Sequence, residues 1–223
     1  MEIRRFIFNL LSENTLILSG MPGKCVIVDP GFNSPEERGT LLDYLSTASL
    51  VPEAVLLTHG HMDHVYGVAE LQRLYGMPVY MSDADWPVLE YFQRVAKFGI
   101  PAPDINFTTT PVDDGSRIKA AGLEFLVITT PGHSPGGVCY LEEKEGAIFT
   151  GDTLFAGAIG RTDLYLSEYD DLIRSIMEKL MMLPGDITVY PGHGAPSTIG
   201  EERMTNPFLE PFNEPEETIY DEN

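Results

Sequence analysis

Apolar positions fall in short runs along the chain, punctuated by turns that carry glycine and proline. Ile3–Leu11 and Thr15–Ser19 read as two strands joined by the polar turn Ser12-Glu13-Asn14. A third strand, Cys25–Val28, follows Gly20-Met21-Pro22-Gly23 and stops at Asp29-Pro30-Gly31. Ser34 before Pro35-Glu36-Glu37 starts a helix: a capping hydroxyl, a proline where no N–H is needed, and acids near the positive end of the dipole. Leu41, Leu42 and Leu45 give that helix an apolar side. Ala54–Leu57 is a short buried strand. Val65–Tyr75 is a helix with Val68, Leu71 and Leu74 at helical spacing, stopped by Gly76. Pro78–Met81 reads as a strand and Trp86–Phe98 as a helix, whereas the prolines of Pro101–Pro111 exclude regular structure there. The carboxyl half predicts strands at Arg117–Lys119, Leu123–Thr129, Val138–Leu141 and Ala147–Phe149. An amphipathic helix follows over Tyr169–Met182, then a last strand at Thr188–Tyr190.

Strands come in runs with too few helices between them for repeated βαβ units. Two mixed sheets covered by helices are expected, not a doubly wound sheet. Residues 1–206 read as one domain and 207–223 as an acidic tail rich in Pro and Glu, with few apolar anchors, that wraps the surface or stays disordered.

Charge narrows the partners. The chain has 14 Lys and Arg against 34 Asp and Glu, a net charge of −20. Such a surface repels nucleic acid and anionic lipid and gives no long-range attraction to an anionic substrate. Neither a nucleic-acid nor a membrane partner is therefore expected. No segment approaches the roughly 18 apolar residues of a membrane span. Asn9, Ser12, Glu13 and Asn14 interrupt the faintly signal-like amino terminus, so a cytoplasmic location is expected. Cys25 and Cys139 lie in apolar strand sequences and read as buried thiols, not as a disulfide.

The chemistry concentrates in the histidines. His59, His61 and His64 fall in T-H-G-H-M-D-H (Thr58–His64), with Asp63 among them. His133 and His193 each sit in a Pro-Gly-His turn after an apolar strand, and Asp152 follows Ala147–Gly151 in a similar setting. Strands fix direction, glycines allow the chain to turn sharply, and loops beyond strand ends bring remote residues together. One His-X-His-X-Asp-His loop can feed two adjacent metals. Imidazole with carboxylate suits zinc first, with iron or manganese as alternatives.

These residues resemble the metallo-β-lactamase superfamily, and within it the glyoxalase II-like (hydroxyacylglutathione hydrolase-like) group. The likeness runs from V-D-P-G at Val28–Gly31 through T-P-G-H-S-P-G-G at Thr130–Gly137 and T-G-D-T-L-F-A-G-A-I-G-R-T-D-L at Thr150–Leu164. It ends in V-Y-P-G-H-G at Val189–Gly194 and T-I-G-E-E-R-M-T-N-P-F at Thr198–Phe208. The resemblance implies an α/β fold, α+β by strand order: the αββα sandwich of two mixed β-sheets flanked by helices. It implies two divalent metals, the first held by His59, His61 and His133, the second by Asp63, His64 and His193, with Asp152 bridging. Asp63 and Asp152 then serve catalysis, and Asp29 orients a ligand histidine. Water activated between the metals attacks the carbonyl of an acyl thioester, whose thiolate leaves without needing an additional protein acid. Arg161, Tyr165 and Arg203 are candidate substrate contacts.

The resemblance thins at the carboxyl end. Glyoxalase II enzymes grip glutathione with basic residues of a helical carboxyl-terminal domain. Here thirty residues follow His193 and they are acidic, so a different or smaller thioester than lactoylglutathione is expected. Persulfide dioxygenases share similar I-G-R-T-D and E-E-R-x-x-N-P stretches, and their single iron would correspond to His61, His133 and Asp152. Nucleases share the His-X-His-X-Asp-His loop, against which the acidic surface weighs. A metal-stabilised scaffold without activity is the remaining alternative.

Overall fold

The computed structural model of the chain describes residues 1–95 and 101–209. Fourteen strands and six α-helices fall in the order β1 (Glu2–Phe8), β2 (Glu13–Met21), β3 (Lys24–Val28), α1 (Pro35–Thr47), β4 (Val51–Leu56), α2 (Met62–Val65), α3 (Val68–Tyr75), β5 (Val79–Met81) and α4 (Trp86–Val95). The second half runs β6 (Thr110–Pro111), β7 (Arg117–Ala120), β8 (Leu123–Thr129), β9 (Val138–Glu142), β10 (Ala147–Gly151), β11 (Leu154–Phe155), β12 (Ala158–Ile159), α5 (Tyr169–Ser175), β13 (Thr188–Pro191), β14 (Ser197–Thr198) and α6 (Ile199–Thr205). One sheet has the order β1-β2-β3-β4-β5-β6 and the other β14-β13-β10-β9-β8-β7. Both are mixed. β1, β2 and β3 pair antiparallel, then β3, β4 and β5 pair parallel across the crossovers through α1 and α3. In the second sheet only β10 and β13 run parallel.

Strand alternation builds the layers. In β3, Cys25 and Ile27 join the core under α1, α3 and α4, while Val26 and Val28 join the core between the sheets. In β9, Val138 and Tyr140 face the first sheet, while Cys139 and Leu141 face α5 and α6. Three apolar cores separate four layers, helices, sheet, sheet and helices, so the fold is the expected αββα sandwich. Both cysteines are free and buried in strands, and burial pushes the thiol of Cys25 up to about 12 and that of Cys139 up to about 11.

Several local expectations shift. The first turn lies at Asn9–Ser12, and Glu13 and Asn14 belong to β2, where both are buried. Asn9 and Ser12 take the left-handed conformations that close the turn (φ 53° and 59°). The helix expected at Val65–Tyr75 divides into α2 and α3, because the N–H of Gly67 turns to the carbonyl of Pro30. Thr110–Pro111 pairs with β5 as an edge strand, the position where a missing N–H is tolerated. The helix expected over Tyr169–Met182 changes to a wider π-turn at Ile176–Leu180. Ser34 caps α1 as expected, accepting the N–H of Glu37 at 3.2 Å. Residues 96–98 of the helix expected at Trp86–Phe98 and 210–223 of the expected tail lie outside the described residues. At the tail's start, Leu209 is buried in the core beneath α5 and α6. Among the described residues no helix is long and apolar enough to cross a membrane.

Candidate metal centre

Four strands end at one edge of the sandwich, and each delivers polar side chains there. β4 runs into His59 and His61, and α2, directly after them, carries Asp63 and His64. β8 leads to His133, β10 to Asp152 and β13 to His193. The two sheets are tied together beside this edge: the N–H of Val138 donates to the Thr58 carbonyl at 2.8 Å, and the Tyr140 hydroxyl donates to the Leu57 carbonyl at 2.8 Å. Two glycines let the ligand loops approach. Gly151 has φ +49°, and a Cβ there would sit 2.1 Å from Thr58 Oγ1. A Cβ on Gly192 would sit 2.4 Å from Asp152 Oδ1.

All seven expected ligands are brought together. His59, His61 and His133 each offer one atom within 4.8 Å of the others, and so do Asp63, His64 and His193. Asp152 lies between the two groups, with Oδ1 3.4 Å from His64 Nε2 and Oδ2 3.5 Å from His133 Nε2 and 3.6 Å from His193 Nε2. The Nε2 atoms of His59, His61, His64 and His133 and Oδ1 of Asp152 are buried without a hydrogen-bond partner. A buried polar atom left unpaired costs on the order of 1–3 kcal/mol. Five of them gathered in two adjacent groups therefore describe a cradle for cations.

The opposite ring nitrogens are engaged. His133 Nδ1 lies 2.8 Å from the Arg161 carbonyl and His193 Nδ1 3.0 Å from the Leu11 carbonyl, so each Nδ1–H donates and each Nε2 presents its lone pair. His64 Nδ1 lies 3.0 Å from Asp29 Oδ2. Thr58 donates its hydroxyl proton to the same oxygen at 2.6 Å, which leaves its Oγ1 to accept from His59 Nδ1 at 2.9 Å. Asp29 thus fixes His64 directly and His59 through Thr58, while its Oδ1 accepts the Thr58 N–H at 2.8 Å.

The electrostatics suit a cation. Burial, and then the neighbouring histidines, hold the imidazoles of His59 and His61 well below their ordinary range and so neutral. Burial also works against charge on His64, but the carboxylates of Asp63, Asp152 and Asp29 outweigh it and draw positive charge to that ring. For Asp63, burial acts upward and His64 and His193 overcome it, so the carboxyl stays ionised well below its usual value.

Above the ligands opens a cleft of about 460 Å³ walled by Leu11, Met62, Phe92, Phe155 and Leu164, with Arg161 at its edge. Arg161 directs its guanidinium to Asp163 in two hydrogen bonds of 2.9 Å. Tyr165 stacks on Tyr91, with ring centroids 4.1 Å apart, outside the cleft lining. Arg203 does not line the cleft; it donates to the carbonyls of Met181 and Leu183 at 2.6 and 2.7 Å.

Two acids that sequence reasoning passed over stand behind the ligands. Asp85 is fully buried and accepts the N–H of Gly60 at 2.7 Å, the Ser134 hydroxyl at 2.8 Å and the N–H of Gly136 at 2.6 Å. It therefore fastens the His59–His61 loop to the His133 loop. Burial raises its carboxyl, against the pull of those three donors. Glu13 is also fully buried, with Thr15 donating to its Oε2 at 2.8 Å, and burial raises its carboxyl well above the ordinary range. Nothing in the periodicity marks either residue: Asp85 is tied to Gly60, Ser134 and Gly136, and Glu13 reaches the site through a backbone bridge to His193.

An αββα sandwich with this His/Asp cluster at its strand ends defines the class of metal-binding metallo-β-lactamase folds. The chain belongs to the metallo-β-lactamase superfamily, which it matches over residues 9–193. It is similar to the hydroxyacylglutathione hydrolase GloC of Haemophilus influenzae, 37% identical over 190 residues that cover 82% of this chain and 86% of that protein. Among solved structures it is similar to the BLEG-1 B3 metallo-β-lactamase, with TM-score 0.86, 32% identity, and coverage of 93% of this chain and 99% of the other. It is also similar to TTHA1623 in a di-iron-bound form, with TM-score 0.82, 36% identity, and coverage of 92% and 100%.

Proposed function

We propose that this protein hydrolyses small acyl thioesters with two divalent metal ions, zinc first among them, as a glyoxalase II-like enzyme. The observation that carries the reading is the set of five buried, unpartnered ligand atoms gathered in two adjacent donor groups beneath an open cleft. Imidazole and carboxylate donors in this number fit zinc, iron or manganese. His59, His61 and His133 would hold one ion, Asp63, His64 and His193 the other, and Asp152 would serve both. Metals bound there would supply a water with its pKa lowered to about 7 and would polarise a carbonyl.

The protein's own residues do the rest. Asp29 and Thr58 hold the rings of His64 and His59 in one tautomer and orientation, as acids behind metal-ligating histidines do. Asp63 and Asp152 contribute the negative charge that retains the ions. Phe92 packs edge-on against His61 at 5.2 Å and Phe155 against His193 at 6.2 Å, limiting water at the ligands to the cleft side. A thiolate with a pKa of about 8.5 leaves without a proton donor, so no general acid is assigned.

The alternative, a single iron on His61, His133 and Asp152 used to oxidise a persulfide, would leave the buried Nε2 atoms of His59 and His64 unpartnered. TTHA1623, similar to this chain, is in a di-iron-bound form and keeps iron as a candidate metal. The test is metal content of protein purified without added metal, measured together with thioester hydrolysis. Two metals and acyl-thioester turnover support the reading; one iron with oxygen uptake on a persulfide overturns it.

A further inference from the structure

We propose that the cleft is a site for an unbranched apolar acyl chain, so that the thioesters this protein prefers are medium-chain acyl thioesters of little charge. The inference deepens the thioesterase reading and rests on it for the word thioester. Leu11, Met62, Phe92, Phe155 and Leu164 wall the cleft around the metal ligands. Among the described residues the one Lys or Arg side chain in the lining, Arg161, is already paired with Asp163. A substrate half bearing two carboxylates, such as glutathione, therefore meets apolar walls and a molecule of net charge −20.

The apolar surface continues past the cleft. A second cavity of about 180 Å³ shares Leu11 and Met62 and adds Leu10, Tyr66 and Pro101. Leu10 is 100% exposed and Leu11 55% exposed, at the tip of the turn between β1 and β2. That turn is held at both ends. Asn9 donates its side-chain amide to the carbonyls of Gly31 and Asp63, both at 3.0 Å, and Asn14 donates to those of Pro191 and Gly194 at 3.0 and 2.9 Å. Both anchors reach the loops that carry the candidate ligands, so the two leucines are positioned beside the metal centre by polar bonds. An apolar strip continuous with a polar reacting centre is how a binding site for an apolar substrate is built. With its carbonyl at the ligands, an acyl chain would run along this strip, across Leu11 and Met62, toward Leu10 and Tyr66.

The test uses the full-length, metal-loaded protein and ketone analogues of N-acetylcysteamine thioesters, in which a methylene replaces the sulfur and prevents hydrolysis. Acetyl, butyryl and hexanoyl analogues and the ketone analogue of lactoylglutathione are titrated by calorimetry, and the thioesters themselves are assayed for turnover. The expected Kd falls by about fourfold per methylene through hexanoyl, and the lactoylglutathione analogue binds more weakly than the hexanoyl one. Leu11→Ser and Leu164→Ser should each flatten that gradient, with circular dichroism showing both variants folded. Equal affinity along the series overturns the proposal. So does tightest binding of the lactoylglutathione analogue, or a full gradient in both variants. A steep gradient without turnover of any thioester supports the acyl-chain site and sinks the thioesterase reading instead.

Discussion

Replacing Asp85 by Asn alters one buried side chain that no candidate ligand touches, yet it should weaken metal binding. Oδ1 accepts the N–H of Gly136 at 2.6 Å, and Oδ2 accepts both the N–H of Gly60 at 2.7 Å and the Ser134 hydroxyl at 2.8 Å. An amide keeps one oxygen. In its better orientation it preserves the two bonds at Oδ2 and turns its NH₂ toward the N–H of Gly136, donor against donor. One hydrogen bond to a charged group, worth about 1.5–3 kcal/mol, is lost, and a buried donor is left unpaired at about 1–3 kcal/mol. Together the loss of stability is about 2.5–6 kcal/mol, read from urea unfolding of the metal-stripped protein. The lost bond also loosens the His133 loop at Gly136, leaving only the bonds at Oδ2 to tie it to the loop carrying His59 and His61, so metal affinity should fall roughly 10–100-fold in competition with a chromogenic chelator, as for other partners behind metal ligands. Ser134→Ala, which removes one hydroxyl donor, should lose about 1 kcal/mol and correspondingly less affinity. Stability that falls while metal affinity stays at the wild-type value would falsify the reasoning, for Asp85 would then support the fold and not the site.

Gly192→Ala places a methyl 2.4 Å from Asp152 Oδ1 and 2.6 Å from His64 Cε1; it should sharply lower bound metal, measured by elemental analysis, and full metal content would refute the close approach. Stripping the metals with a chelator should lower the calorimetric Tm by about 5–10 °C, since a ligand at a hundred times its Kd contributes about 2.7 kcal/mol; an unchanged Tm would deny the centre any share in stability. Cys25 and Cys139 are buried, with thiols pushed up to about 12 and about 11, so almost no thiolate is present at neutral pH and native protein should resist iodoacetamide. Mass spectrometry should find both alkylated only after unfolding, and alkylation at the native rate of a free thiol would contradict their placement.

What the chain determined by itself is local. The apolar runs at Cys25–Val28 and Val138–Leu141 marked strands, and the capping hydroxyl of Ser34 and the turns at Gly76 and Gly192 marked element ends, because each depends on residues a few positions apart. The candidate ligands were legible for the same reason: His59, His61, Asp63 and His64 share one loop, and His133, Asp152 and His193 each close a strand of apolar residues. The tertiary structure decided what crosses between segments. It moved Glu13 and Asn14 from a turn into β2, where Asn14 donates to the carbonyls of Pro191 and Gly194 and the backbone of Glu13 bridges that of His193. It broke the second helix at Gly67 to satisfy Pro30, turned Arg203 to the carbonyls of Met181 and Leu183, and made Asp85 the tie between the His59–His61 and His133 loops. Leu10 and Leu11, a plain apolar pair in the sequence, became the mouth of the cleft only when the turn folded beside the metal centre. A hydrogen bond between residues dozens of positions apart leaves no period in the sequence, and so these contacts, which aim the ligands and shape the cleft above them, belong to the fold alone.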